Sequence, residues 1–344
     1  MRIMNEELVT LSALKSRSVF VFGMGGGGDV IGAALIVQML KDLNISNCYL
    51  GAIVWERYVV DPTPGPIPLE DMKNIDYIGS CSAIVNGDEY AIRSGMKVIF
   101  QAARLARVLK EQVYVIDISR GARGIEKGIM EIRQFLNVDA VIAVDVGGDV
   151  LAKGNEEGLW SPLADSVSLA GLLRARVDIK ILSVLGLGAD GELDISYLLK
   201  RIALIAKHKG LIGAIGINRR EAYLIEFLLK KGLISETSSL ILKAFNGAFG
   251  ELHIRGGTRR VMVNPLMTIA WFIDINRVSH LFPLAQAVID SSSIEEANEM
   301  LKKFKIVTEL DIDKEIYKVS RRTGRITPHI VMKIREELMR KFKM

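Results

Sequence analysis

Short apolar runs alternate with longer helical patterns from residue 19 to about residue 230. The apolar runs are VFVFG, CYLGAIVW, VYVIDI, AVIAVDV, IKILSVLGL and LIGAIGI. They are apolar on both faces, as strands buried in a parallel sheet are, and the segments between them repeat apolar residues with the period of a helix. This alternation predicts an α/β fold: a doubly wound, Rossmann-like, mostly parallel sheet with helices on both faces.

The alternation weakens after residue 232. We therefore predict an α/β core over residues 1–232, which holds the ligand site, and a C-terminal α+β extension over residues 233–344 that packs on it. Within the extension, Gly256 and Gly257 predict a hairpin. The apolar run at 261–275, VMVNPLMTIAWFIDI, is interpreted as a buried helix, because it is too short and too interrupted for a membrane span.

Composition narrows the classes of partner. The net charge is +5 and aromatic residues make up 6% of the chain. Much of the basic excess lies in a predicted amphipathic helix that starts at Pro328, and no RNA-binding signature is present, which argues against nucleic acid. Cys48 and Cys81 form no CxxC pair, so neither a disulfide nor a zinc site is predicted.

The compartment and habitat are also predicted from composition. No apolar run reaches the roughly 18 residues of a membrane span, and the N-terminal stretch lacks the features of a secretory signal. We expect a cytoplasmic protein with no membrane partner. Abundant Lys, Arg, Glu and Ile with scarce Gln are typical of thermophile proteins.

A loop of glycines joins the first strand to the first helix. Gly23, Gly25 and Gly28 match the G-x-G-x-x-G pattern, and Gly26 and Gly27 complete the loop. Backbone N–H groups of such a loop, at the N-terminus of a helix, can bind a phosphate group. Asp29 follows directly, and its carboxylate would repel that phosphate. The sequence leaves open whether Asp29 caps the helix or belongs to a ligand or metal site.

Glycines and aspartates also follow two later strands. VIAVDVGGDV places Asp145, Gly147, Gly148 and Asp149 after one strand, and LSVLGLGADGEL places Asp190 after the next. Because the carboxyl ends of parallel strands meet at one edge, we expect these carboxylates to gather with Asp29. Several carboxylates close together need a cation, so we predict Mg²⁺ bound by Asp145 and Asp149.

Two other segments supply candidate ligand-binding residues. Arg120 and Arg123 follow the strand VYVIDI and could neutralise the charge of a phosphate. The proline-rich segment RYVVDPTPGPIP, with Glu56 before it and Asp61 within it, is either a rigid wall over the crevice or a crossing of the sheet edge. The patterns G-x-S-x-G, H-E-x-x-H and G-x-x-x-x-G-K-[ST] are absent, which argues against a serine hydrolase, a zinc protease and a P-loop kinase.

Three motifs together resemble a known family. FGMGGGGDVIGA, WERYVVDPTPGPIP and VDVGGDVLAKGNEEGLWSPLAD are similar to those of a family of archaeal proteins, with some bacterial members, known only as a domain of unknown function. The resemblance covers most of the chain. It implies that residues 25–29, 55–68 and 145–165 share one site, and it implies no activity.

The leading hypothesis is an enzyme that binds a nucleotide or another phosphorylated metabolite and catalyses phosphoryl transfer or hydrolysis with Mg²⁺. In this hypothesis the glycines of residues 25–28 and Gly147 and Gly148 bind the ligand, while Asp149 and Asp29 are catalytic. One alternative is an NAD(P)-binding oxidoreductase or regulator, with Glu56 near the ribose. Another is a non-catalytic metabolite sensor or scaffold. A homo-oligomer is left open.

Overall fold

The computed structural model describes residues 9–343, so part of the N-terminal stretch used to argue against a secretory signal lies outside the described residues. The strands are β1 (Val19–Gly23), β2 (Cys48–Ile53), β3 (Met72–Lys73), β4 (Asp76–Tyr77), β5 (Ser82–Val85), β6 (Tyr90–Arg93), β7 (Met96–Val98), β8 (Val113–Ile116), β9 (Ala140–Val146), β10 (Ile179–Leu185), β11 (Leu211–Gly216), β12 (Gly250–Ile254), β13 (Arg259–Val263) and β14 (Ile269–Asp274). The helices are α1 (Asp29–Asp42), α2 (Gln101–Leu109), α3 (Gly121–Leu136), α4 (Pro162–Arg174), α5 (Ile195–Lys207), α6 (Arg219–Lys230), α7 (Glu236–Phe245), α8 (Ile275–Val278), α9 (Pro283–Ala287), α10 (Ile294–Lys302), α11 (Glu309–Thr323) and α12 (Pro328–Lys343).

The main sheet is parallel at its centre and antiparallel at both ends. Its strand order among the described residues is β11-β14-β10-β9-β1-β2-β8-β5-β4. The strands from β10 to β8 in this order pair in parallel, whereas β14 and β5 pair antiparallel with β10 and β8. The chain runs from β1 outward through β2 to β8 and then returns to β9 on the other side of β1. The strand order therefore reverses between β1 and β9, where α/β sheets bind their ligands.

Helices cover both faces of the sheet. One apolar cluster joins one face to α1, α2, α6 and α7, with Leu35 and Ile225 among its buried residues. The other joins the opposite face to α3, α4, α5 and α10, with Ile129 and Leu169 among its buried residues. The predicted doubly wound α/β fold is confirmed.

The interpretation of residues 261–275 as a buried helix is wrong. This run contains the end of β13, a short 3-10 turn at Pro265, and β14. Asn264 caps the turn by accepting a hydrogen bond from the N–H of Leu266 at 2.9 Å. β14 lies between β10 and β11, antiparallel to both, and most of its residues are buried, so it lacks the apolar–polar alternation that would have marked it as a strand.

The segment after residue 232 therefore contributes a strand to the main sheet as well as a hairpin and helices around it. The hairpin predicted at Gly256 and Gly257 is confirmed as β12 and β13. At the end of the chain, α11 and α12 enclose a smaller apolar cluster with Trp160, in which Ile334 and Leu338 are buried. Among residues 9–343, none of the helices has both the length and the apolar character that crossing a bilayer requires.

Candidate functional site

Five carboxylates lie together at the carboxyl edge of β1, β9 and β10. They are all buried, with exposures of 1–8%: Asp29, Asp145, Asp149, Asp165 and Asp190. Asp145 is the penultimate residue of β9, and the chain then turns through Gly147 (φ 142°) and Gly148 (φ 107°), where a side chain would be strained. The structure thus brings the predicted acids together at the point where the strand order reverses.

Two sets of these carboxylates could hold a metal ion. In the first, oxygens of Asp145, Asp149 and Asp165 lie within 4.8 Å of one another, and in the second, oxygens of Asp149, Asp190 and Glu192 do. Asp145 Oδ2 and Asp165 Oδ1 are buried and accept no hydrogen bond from the described residues. A buried acceptor without a partner is costly, and a cation would satisfy both oxygens at once.

Glu192, in contrast, is already saturated with donors. It accepts the N–H groups of Trp160 at 2.6 Å and Ser161 at 3.0 Å, the Ser161 hydroxyl and Arg259 Nη1 at 2.8 Å. The set with Asp145 and Asp165 is therefore the better metal site.

Glycines make room for the unpartnered oxygens. A Cβ atom on Gly25 would lie 2.5 Å from Asp29 Oδ2 and 2.8 Å from Asp165 Oδ1, and a Cβ on Gly147 would collide with Asp190 Oδ2. Asp190 Oδ2 is itself buried without a hydrogen-bond partner among the residues described. Gly25 and Gly147, which belong to the predicted phosphate-binding loops, thus leave space for carboxylate oxygens.

Asp29 connects two strand ends. Its Oδ2 accepts the N–H of Gly25 at 2.7 Å, and its Oδ1 accepts the N–H of Val146 at 3.2 Å. Asp29 is the first residue of α1, and its side chain accepts both hydrogen bonds from outside that helix. Neither oxygen accepts an N–H of α1, so Asp29 does not cap that helix. Its two hydrogen bonds join the loop after β1 to the end of β9, and its predicted catalytic or ligand role stays a prediction.

Burial and mutual repulsion shift the pKa values of these acids upward. The pKa values of Asp145, Asp149 and Asp165 lie well above the ordinary range, because each group is buried and faces other carboxylates. Burial also raises the pKa values of Asp29 and Asp190 to about 7. A divalent cation would favour the ionised forms and reverse these shifts.

The rest of the glycine loop has unused backbone donors. Gly26 and Gly27 have φ angles of 77° and 47°, and a Cβ atom on Gly27 would have no neighbour within 4 Å. Within residues 9–343, the N–H groups of Gly26, Gly27 and Gly28 have no acceptor. A Cβ on Gly28 would lie 2.8 Å from the hydroxyl of Ser235, just before α7. These free donors remain available to an anion.

Gly23 has a packing role. A Cβ atom there would lie 2.6 Å from the backbone of Asp29, so the glycine lets β1 and α1 approach closely. This is one of the functions that glycines have in dinucleotide-binding loops.

Arg120 and Arg123 lie at the start of α3. Arg120 forms ion pairs with Glu70 at 2.5 Å and with Asp117 at 3.4 Å. The backbone N–H of Arg123 donates to the carbonyl of Ser291 at 3.1 Å. Among the described residues, no contact joins either arginine to the carboxylates of the site.

Glu56 and Asp61 hold the proline-rich segment in place. Glu56 is buried and accepts the N–H of Gln101, the first residue of α2, at 2.7 Å. Asp61 is buried and pairs with Arg93 of β6 at 2.8 Å. Burial raises the pKa of Glu56 to about 7. Both acids are engaged in contacts within the fold.

Sequence reasoning missed several residues around the site. Glu309, the first residue of α11, accepts the N–H groups of Leu163 and Ala164 at 3.0 and 2.7 Å, and burial raises its pKa to about 8. Arg259 pairs with Glu192 and stacks 4.7 Å from the ring of Trp160. Asp165 could have been found inside the shared motif. Glu309 and Arg259 come from later elements and carry no local signal.

Comparisons with known proteins identify the family. A family model described as "Protein of unknown function (DUF1152)" matches residues 20–317. The chain belongs to this family. The resemblance to a domain of unknown function is thereby confirmed, and the matched range includes all the carboxylates described above. No curated protein and no solved structure matches this DUF1152 member.

Proposed function

We propose that this DUF1152 protein is a Mg²⁺-dependent cytoplasmic enzyme that transfers or hydrolyses a phosphoryl group of a small molecule. The observation that supports it is the pair of buried, unpartnered oxygens on Asp145 and Asp165, held beside Asp149. Carboxylate oxygens are the protein ligands that Mg²⁺ prefers, and Mg²⁺ sites of this kind commonly bind substrate phosphates.

The residues of the site divide into three roles. Asp145, Asp149 and Asp165 would hold the cation, which supplies positive charge to phosphate oxygens and acidifies a bound water. The N–H groups of Gly26, Gly27 and Gly28 would bind a phosphate oxygen next to it.

A proton acceptor completes the set. Asp190 has a buried, unpartnered oxygen next to these carboxylates, so its ionised form can take a proton from an attacking hydroxyl or water. The proposed cation site and the proposed proton acceptor thus lie on adjacent loops.

The two alternatives drawn from the sequence gain no support. Glu56, the candidate acid for the ribose of NAD(P), instead accepts the N–H of Gln101. A sensor or scaffold requires no buried, unpartnered carboxylates.

The first test is the thermal stability of the purified protein with EDTA or Mg²⁺, alone and with nucleotides and sugar phosphates. A ligand at about 100 times its Kd adds about 2.7 kcal/mol of stability, so Mg²⁺ should raise the melting temperature. The variant Asp145→Asn should lose the Mg²⁺ shift and Mg²⁺-dependent phosphate release. Asp88→Asn, which changes an exposed acid, should keep both. An equal Mg²⁺ shift in Asp145→Asn would refute the metal site.

A further inference from the structure

Three arginines lie near Glu192 and Glu236, and the charges of two of them act on Asp190. Arg57 follows β2, Arg255 lies in the turn of the β12–β13 hairpin, and Arg259 begins β13. We call these three residues the arginine cluster. Each guanidinium contributes to the potential at the others, since Arg57 and Arg259 are among the charges that lower the pKa of Arg255. In the described part of the chain, their ion-pair partners are Glu192 and Glu236.

One carboxylate is shared by two of these arginines. Glu236 Oε2 lies 3.2 Å from Arg57 Nη1 and 3.3 Å from Arg255 Nε. Its side chain is 38% exposed, and its Oε1 accepts the backbone N–H of Arg255 at 3.1 Å. Arg57 and Arg255 together carry two positive charges against the single charge of Glu236.

Within the arginine cluster, the guanidinium of Arg255 lacks hydrogen-bond acceptors among the residues described. Its Nε atom is buried and makes no hydrogen bond despite its proximity to Glu236, and its two terminal nitrogens have no acceptor among residues 9–343. Burial and then Arg259 and Arg57 lower the pKa of Arg255 to about 9. A guanidinium in this position would be stabilised by a second anion.

The arginine cluster adjoins both halves of the proposed site. Glu192 contacts Arg259 at 2.8 Å, and one of its oxygens lies within 4.8 Å of oxygens of Asp149 and Asp190. On the other side, Glu236 directly follows Ser235, whose hydroxyl borders the glycine loop at Gly28. Glu192 and Ser235 thus connect the arginine cluster to the carboxylates and to the glycine loop.

We propose that the arginine cluster is an anion subsite that binds the second phosphate of a diphosphate-containing substrate, and that Glu236 occupies it when no ligand is bound. The assignment of the first phosphate to the metal rests on the proposed function, whereas anion binding by the arginines does not. Guanidinium groups suit this role because they donate two parallel hydrogen bonds to phosphate oxygens. The substrate class is thus a nucleoside diphosphate, a nucleoside triphosphate or another diphosphate ester.

The test is calorimetric titration of pyrophosphate into the full-length protein in EDTA, where no metal contributes. Arg255→Gln should weaken binding about tenfold or more, the range for hydrogen bonds to charged groups. Arg260→Gln is the matched control, since Arg260 lies on the same hairpin with a 73% exposed side chain and should leave binding within about twofold. If both variants weakened pyrophosphate binding equally, the loss would reflect only the lower net positive charge. That result would overturn the subsite.

A second variant moves the result in the opposite direction. Glu236→Gln removes the carboxylate that competes for Arg57 and Arg255, so pyrophosphate should bind several-fold more tightly, which misfolding cannot mimic. Unchanged or weaker binding would overturn the proposal. With Mg²⁺ present, pyrophosphate should bind at least about tenfold more tightly than inorganic phosphate. Equal affinities would overturn the assignment of a diphosphate.

The two proposals can fail separately. Binding in EDTA that depends on Arg255, without any Mg²⁺ effect that depends on Asp145, would retain the subsite and refute the metal-dependent function. The converse result would retain the metal site and refute the arginine subsite.

Discussion

The carboxylates of Asp29 and Asp190 couple the stability of the protein to pH. Burial raises both pKa values from 3.8 to about 7. In the unfolded chain these groups titrate near pH 4, so between about pH 4 and 7 the folded state binds more protons. Their contribution to stability is complete below about pH 4 and is lost as the pH rises through 7. In EDTA, the melting temperature should fall between pH 5 and pH 8.

Magnesium should reduce that fall, because the cation binds the ionised carboxylates and releases their protons. The same melting series with Mg²⁺ measures this, and the Mg²⁺-induced shift should increase with pH. Asp145→Asn removes one negative charge from the cluster, so the melting temperature in EDTA should depend less on pH in this variant. A melting temperature in EDTA that does not change with pH would contradict the buried, protonated cluster.

Gly25 should be intolerant of a methyl group because two carboxylates lie against it. An alanine Cβ would lie 2.5 Å from Asp29 Oδ2 and 2.8 Å from Asp165 Oδ1, so one carboxylate must move. We expect Gly25→Ala to abolish the Mg²⁺-dependent melting shift. Gly213→Ala is the control, since a Cβ there would meet nothing within 4 Å. A normal Mg²⁺ shift in Gly25→Ala would contradict the expectation that cation binding depends on the positions of Asp29 and Asp165.

The residues of the site differ in how far the sequence predicts them. Asp145 and Asp149 were predictable because they directly follow a buried strand, and the carboxyl ends of parallel strands meet. The bridging role of Asp29 was not, because its partner Val146 lies 117 residues away. Arg255 and Arg259 were missed for a related reason: a hairpin docks them from far along the chain.

At the scale of elements, the first turn of α4 is held in place by a side chain of α11. Glu309 of α11 accepts the N–H groups of Leu163 and Ala164 in the first turn of α4. These donors have no partner within α4, because the first N–H groups of a helix lack intrahelical acceptors.

Removal of this acceptor should destabilise the protein. Glu309→Ala leaves two N–H groups without their acceptor, which should lower the free energy of unfolding by about 1–3 kcal/mol. Urea denaturation measures the loss. Glu309→Gln retains one oxygen acceptor and should lose less than Glu309→Ala. Equal stabilities of Glu309→Ala and the wild type would mean that water replaces the carboxylate.

The strands and helices were more predictable than their order in the sheet. Strands such as β1 and β9 are apolar runs bounded by glycine loops, which sets both their length and their burial. β14 is of similar apolar character, but it is preceded by a run that extends through Pro265 and so looked long enough for a helix. Its insertion between β10 and β11 depends on long-range pairing, which local patterns do not encode.

At the scale of the whole molecule, α12 lies outside the matched family range and yet contacts the segment that leads to Asp165. The family match ends at residue 317, before α12 begins. The two large apolar clusters contain no buried residue beyond Leu310, whereas Ile334 and Leu338 of α12 pack around Trp160. Arg335 donates to the carbonyls of Glu157 and Leu159, in the segment that leads to Asp165. α12 is thus a cover over this segment rather than part of the main core.

Truncation after Thr327 tests whether α12 only covers the segment that leads to Asp165 or also supports the main core. The sheet should stay folded, because both large clusters remain, while Trp160 loses Ile334 and Leu338, each of which contributes about 1.5–3 kcal/mol when fully buried. We expect a lower melting temperature, greater quenching of tryptophan fluorescence by acrylamide, and a smaller Mg²⁺ shift, because the segment before Asp165 is loosened. The additional quenching should disappear in a truncated chain that carries Trp160→Phe. An unchanged Mg²⁺ shift would mean that α12 acts independently of the carboxylates, which is the behaviour that a scaffold helix would show.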